Sequence, residues 1–228
     1  MDIRTLSRWT GALSLIAAPV IVGLPITSES DTATAATQIA DTAAHLGLYK
    51  ITLAQDFGAV LMLVAVLCAA RLARRGAPRL AFWGGLLSFT GWLAGLLAFL
   101  PLDVARVSMA SYSDRAAAVV LYDKITGNLA VSVTMLLFVV LHVVGGIVLG
   151  IALWRSRAVP AAAGILVAVA PVAHFVAHMA GFPLLDSATF LLLLLGGFAV
   201  CAARVVRLRN DEWDLPAAAE LSHEPVSV

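Results

Sequence analysis

The side chains of this sequence that could do proton or metal chemistry are few, and most stand inside apolar stretches. Asp56 follows Tyr49 by seven residues and Thr52 by four. On a helix those three share one face, so the acid would end a polar stripe turned toward the protein interior. With a span beginning near Tyr49, Asp56 lies roughly 10 Å below its outer boundary at 1.5 Å per residue. A carboxyl there can deliver or take up a proton, or ligate a cation, unless a neighbouring helix or outer water satisfies it. His174 and His178 stand four apart, on one helical face. Such a pair can act in acid–base transfer or hold a metal. The usual helical zinc signature also has a Glu beside the first His and a third ligand; the Glu is absent, and the ligand would have to be Asp56, Asp186 or His45.

His142 falls near the middle of another apolar stretch, with Asn128 and Ser132 on approximately its face. One histidine from each of two spans can ligate a b-type haem, which makes His142 and His174 a conceivable axial pair. Their unequal depths speak against it, and no second pair exists to carry electrons across a membrane. The expectation is therefore chemistry without metal or other cofactor. Asp56, His174 and His178 are its catalytic candidates, and His142, Asn128, Thr52 and Tyr49 its substrate-binding ones. Asp186, in Pro183-Leu-Leu-Asp-Ser, reads as a helix cap.

What must position these groups is a set of apolar segments. Six run over about 9–27, 49–71, 80–101, 127–154, 159–180 and 187–205, each near or above the ~20 residues that a hydrocarbon core of about 30 Å requires. A hydrophobic share of 61% and a mean hydropathy of +0.95 exclude an ordinary soluble domain. Of 15 basic residues, 11 fall at one set of span ends, while Lys50, Arg106, Arg115 and Lys124 lie at the other. Eight acids sit toward those other ends, so the two faces differ in sign although the net charge is only +1. The positive-inside rule then predicts an all-α, polytopic six-span bundle in the cell membrane with both termini cytoplasmic.

Residues 1–209 make that one transmembrane domain, and 210–228 read as a polar, disordered cytoplasmic tail. Arg4 and Arg8 before an apolar run imitate a signal peptide with cleavage near Thr34, but the run from Trp9 to Ile26 is too long for one and reads as a retained span. Residues 32–50 and the stretch from Ser113 to Leu121 are expected to form helical caps over the outer mouth. Glycines 84, 85, 91 and 95 in the third span and 145, 146 and 150 in the fourth suit close helix packing. Cys68 and Cys201 read as small packing residues. Residues 61–95 and 142–170 form a faint repeat, two hairpins each turning through arginines and a proline.

The run Leu149-Gly-Ile-Ala-Leu-Trp-Arg-Ser-Arg157 with Pro160, then Pro171-Val-Ala-His174, resembles a junction in small six-span membrane proteins of unknown function common in actinobacteria. That likeness covers most of the chain; it implies a fold and supplies no activity. In size and in its embedded acid the chain is also similar to small membrane-bound terpene cyclases, without the Trp-Glu pair of the fungal type.

No Walker sequence, Gly-x-Ser-x-Gly, Cys-x-x-Cys or aspartate-rich diphosphate box is present, and nothing basic and aromatic suggests nucleic acid. The expectation is a membrane-embedded enzyme that acts on an isoprenoid or lipid-like molecule in the outer half of the bundle. Its partners would be the bilayer, that molecule and a second copy in a homo-oligomer. The competing readings are a proton- or solute-moving protein, which at 228 residues would need to dimerise, and an accessory subunit. Convergence of Asp56, His142, His174 and His178 on one cavity with a lateral opening to lipid favours the enzyme, a water path to both faces favours transport, and scattered, individually satisfied side chains favour the accessory subunit.

Overall fold

The computed structural model describes residues 2–24 and 34–214, and these residues fold into helices with no strand. Six helical segments are long and apolar enough to cross a membrane. They are α1 (Ile3–Gly23), a broken pair α3 (Leu46–Asp56) and α4 (Gly58–Ala73), α5 (Pro78–Ala110), α7 (Leu129–Ser156), α8 (Ala161–Met179) and a composite of α9 (Pro183–Ala188), one wide π turn (Thr189–Leu194) and α10 (Leu195–Arg207). Two shorter helices, α2 (Ala35–Ala44) and α6 (Arg115–Thr126), lie at the end opposite the termini, and α11 (Asn210–Trp213) follows the last span. The expected caps are thus present: Thr34 and Asp114 cap them, accepting from Thr37 N–H and Ala117 N–H. Residues 25–27 of the expected first span lie outside the described residues.

Each span packs against its chain neighbours and the last returns to the first, so the six form a closed ring. Short connections force this up-and-down order. Leucines such as Leu13, Leu86, Leu97, Leu136 and Leu192 face outward and are exposed, while Leu15, Met62, Leu149, Leu153 and Phe198 fill the centre. Cys68 and Cys201 are unpaired and buried there, and a Cβ on Gly11 would sit 2.7 Å from the Cys68 sulfur. They are packing residues, as expected.

The tightest seam joins α5 to α7. A Cβ on Gly91 would meet His142 backbone nitrogen at 2.4 Å, and one on Gly145 would meet Ser88 nitrogen at 2.3 Å. Without side chains at these points the two backbones touch, the close approach that small residues allow between apolar helices. Backbone cannot yield as a side-chain tip can. Gly91→Ala is therefore expected to force α5 from α7 and to cost about 1–3 kcal/mol, read as a lowered unfolding temperature in detergent. Gly47→Ala, with nothing within 4 Å of the new methyl, should be nearly neutral or slightly stabilising.

The two hairpins of the repeat, α4–α5 and α7–α8, turn at the same end and meet there, since a Cβ on Gly76 would collide with Ser156 carbonyl oxygen at 2.4 Å. The tail departs from expectation. Its first residues are docked: Trp213 is 3% exposed, its indole N–H donates to Ser7 Oγ at 3.1 Å, and its carbonyl accepts from Arg74 at 2.8 Å. Arg8 binds Leu208 carbonyl, and Asn210 donates to Thr5 Oγ1 at 2.9 Å. A lone Trp in a polar stretch anchors it to the start of α1. The bundle therefore extends to Asp214, and the disorder expected of 210–228 can concern only 215–228, which lie outside the described residues.

Candidate functional site

The second span does not run straight through. It breaks at Phe57 between α3 and α4, and the residues just before the break point into the bundle. Gln55 Nε2 donates to the carbonyls of Ile21, Val22 and Leu24, at 2.8, 3.1 and 2.8 Å. Those carbonyls belong to the last turn of α1, which a helix end leaves without backbone donors. One amide thus ties the break to α1 and fixes the place of its neighbour. Asp56 is partly buried, and its Oδ2 is enclosed with no hydrogen-bond partner among the described residues.

Asp56 lies beside Asp103 of α5, close enough for a carboxyl–carboxyl hydrogen bond, with Arg106 near both. Asp103 and Arg106 form an ion pair one turn apart on α5. Arg106, only 9% exposed, lies 4.7 Å from the ring centre of Tyr49, whose hydroxyl donates to Asp41 at 2.5 Å. Two neighbouring carboxyls can take up or release a proton, and Arg106 and Tyr49 fix one member from the side away from the termini.

On the facing wall, α8 presents His174 and His178. After α8 the chain turns at Ala180–Phe182, where Gly181 takes φ +71°, a left-handed value a side chain would resist. Pro183 starts α9, and one turn on Asp186 faces back across the turn. His174 Nδ1 and His178 Nδ1 bond the two oxygens of Asp186, the second at 3.4 Å. With Asp186 as a carboxylate, each ring donates from Nδ1, so Nε2 is the basic nitrogen of each. One acid orients two bases.

His142 comes from α7 at the deep end. Its Nδ1 bonds Phe138 carbonyl at 3.0 Å, its ring stacks on Phe138 at 4.4 Å, and its centre is 5.8 Å from that of His174. His142 is 5% exposed, and its Nε2 has no partner among the described residues. Trp92 packs edge-on against both Phe138 and His142, and Phe190 against His174.

Between these walls is a cavity of about 470 Å³. Asp56, His142, His174, His178 and Asp186 all line it, in a surround of Trp92, Phe99, Met135, Phe138, Phe175 and Phe190. All six spans contribute. Two further lining residues on α8, Phe175 and Met179, are 38% and 67% exposed, so the rim of the cavity reaches the apolar flank of the bundle. Below His142 a narrower chamber of about 30 Å³ continues past Ser88 and Pro171. Polar groups on two sides of an apolar space can exchange protons with a molecule held between them.

Three of the seven expected site residues stand elsewhere. Asn128 caps α7, accepting from Ala130 N–H at 2.9 Å, and its fourteen residues to His142 amount to about 21 Å of helix. Thr52 does not line the cavity; its hydroxyl donates to Leu48 carbonyl, the usual local bond of a helical threonine. Tyr49 is buried beneath Arg106, outside the cavity. The helical stripe that grouped Tyr49 with Asp56 is real, but its outer part holds Arg106. Asp186 was expected to cap its own helix; Phe182 occupies that position, and the carboxylate serves the histidines. His45 pairs with Asp41 at 3.0 Å. Among the described residues no group of three or more His, Cys, Asp or Glu is placed to hold a metal ion.

Comparison of the chain with protein-family models, curated proteins and solved structures gave no match.

Proposed function

We propose that the protein is a cell-membrane enzyme that transfers protons to and from a lipophilic, isoprenoid or lipid-like substrate within this cavity. The observation that carries the reading is the facing of Asp56, beside Asp103, with the His174–Asp186–His178 group across one aromatic-walled space. Asp56, with Asp103 beside it, serves as acid, and a histidine Nε2, its ring oriented by Asp186, serves as base. Aromatic faces suit a substrate that develops positive charge on carbon during the transfer. The exposed rim at Phe175 and Met179 supports access from lipid rather than from water.

The six apolar helices, their outward leucines and the arginines gathered at the end that holds both termini support a bilayer location with the termini cytoplasmic. Topology is checked with a tag after Val228: it should resist an impermeant reagent in intact cells and react once they are opened.

The reaction is tested without knowing the substrate. Protein in nanodiscs is incubated in D2O with the lipophilic extract of its own membranes, and the mixture is followed by mass spectrometry. At least one lipophilic species should be consumed and its product should carry solvent deuterium on carbon. No species changing beyond a protein-free control would overturn the proposal.

A further inference from the structure

At the other end of the bundle the arginines do more than mark a side. The arginine-bearing turn between α4 and α5, the turn between α7 and α8, the end of α10 and the docked tail enclose a second cavity of about 170 Å³. Four arginines line it: Arg71, Arg74, Arg75 and Arg204. The positive-inside rule explains why arginines are numerous at this end. It does not explain why four from two helix ends converge on one enclosed space at the cost of repelling one another.

Two acids stand at the cavity: Glu212 lines it with the four arginines, and Asp214 answers one of them, Arg71, so the arginines still outnumber the carboxylates. Asp214 pairs with Arg71 and, at 3.3 Å, with Arg4, while Glu212 accepts Arg209 N–H at 2.8 Å. Arg74 and Arg75 instead bond backbone carbonyls, those of Trp213 at 2.8 Å and of Asp211 and Asp214 at 3.2 and 3.3 Å. These are dipoles and leave the charge uncancelled. Arg74 Nε is buried with no partner among the described residues. Burial, then the neighbouring charges of Arg71 and Arg75, hold the Arg74 guanidinium below its ordinary pKa. A group that brings negative charge and several acceptor oxygens would relieve both conditions, and guanidinium forks match phosphate geometry. Leu72 and Leu208 add an apolar side to the same space.

We infer that this cavity binds a phosphate group, presented either by an anionic phospholipid at the membrane surface or by a soluble phosphate compound. The inference is independent of the reaction proposed above, since the two cavities share no lining residue.

The test titrates the purified full chain in a non-ionic detergent with dioctanoyl phosphatidylglycerol, with dioctanoyl glycerol as the phosphate-free control, and separately with inorganic phosphate, reading the unfolding temperature. Saturable stabilisation by phosphatidylglycerol alone supports the site and assigns it to lipid. Saturable stabilisation by inorganic phosphate as well supports the site and assigns it to phosphate in general.

Arg204→Gln should raise the half-saturating concentration at least about tenfold, equivalent to about 1.4 kcal/mol. Arg204 is exposed and takes no part in docking the tail, so this variant should fold; Arg74→Gln should weaken binding likewise. Arg207→Gln, on the same helix but outside the cavity, should bind as the unaltered protein does. The inference is overturned if neither phosphate compound stabilises, if the phosphate-free lipid stabilises equally, or if Arg204→Gln and Arg207→Gln behave alike.

Discussion

Asp56→Asn is expected to slow the deuterium-incorporating reaction by about 10²–10⁴-fold while leaving the unfolding temperature nearly unchanged. Asparagine keeps the shape and most of the hydrogen bonding of the carboxyl but cannot take up or release a proton. The place of residue 56 is set by Gln55 on the carbonyls of α1, which the substitution leaves intact. Product formation under D2O and thermal unfolding, measured on the same preparation, separate the two roles. Full activity in the variant, or its failure to fold, would make Asp56 a structural group.

Trp213→Ala should have the largest effect on stability of any single change outside the central bundle, about 3–5 kcal/mol. The indole is almost wholly enclosed, Arg71 lies 4.5 Å above its ring, and Ser7 takes its N–H. Its loss leaves a cavity between the tail and α1 and weakens the carbonyl contacts to Arg71 and Arg74. A fall in unfolding temperature and rapid proteolysis after Arg209 are the expected readouts. Reaction rate below the unfolding transition should be unaffected, because the cavity of the proposed reaction lies at the opposite end. An unchanged melting curve with an uncut tail would mean that the tail contributes nothing to the fold.

The six spans and the close approach of α5 to α7 were legible in the sequence because apolar length and glycine placement act locally. The break at Phe57 was not. No proline marks it and only the single Gly58 follows it, a residue that helices tolerate, and the break goes with Gln55 reaching a different helix. His174 and His178 are recognisable by their spacing, whereas Asp186 reads as a cap because an acid near Pro183 favours a helix start on dipole grounds alone. The readable sign is the shortness of the Gly181-Phe182 turn, which leaves seven residues between His178 and the acid that must fold back on it. Asn128 was misplaced for an opposite reason: shared helical phase says nothing of depth, and two residues on one face can be four turns apart. In the tail, composition averaged over nineteen residues hid the single tryptophan that decides where its first five go.

The cavity itself can be tested most directly by its occupant. An isoprenoid alcohol carrying a diazirine, photolysed with the protein in nanodiscs, should leave adducts on cavity residues such as Phe99, Met135, Phe175 and Met179. The same sites should be labelled in Asp56→Asn, which keeps binding and loses turnover, and unlabelled isoprenoid alcohol should suppress them. Adducts confined to outward-facing residues such as Leu184 and Leu192, unaffected by competitor, would contradict a lipophilic substrate in this cavity.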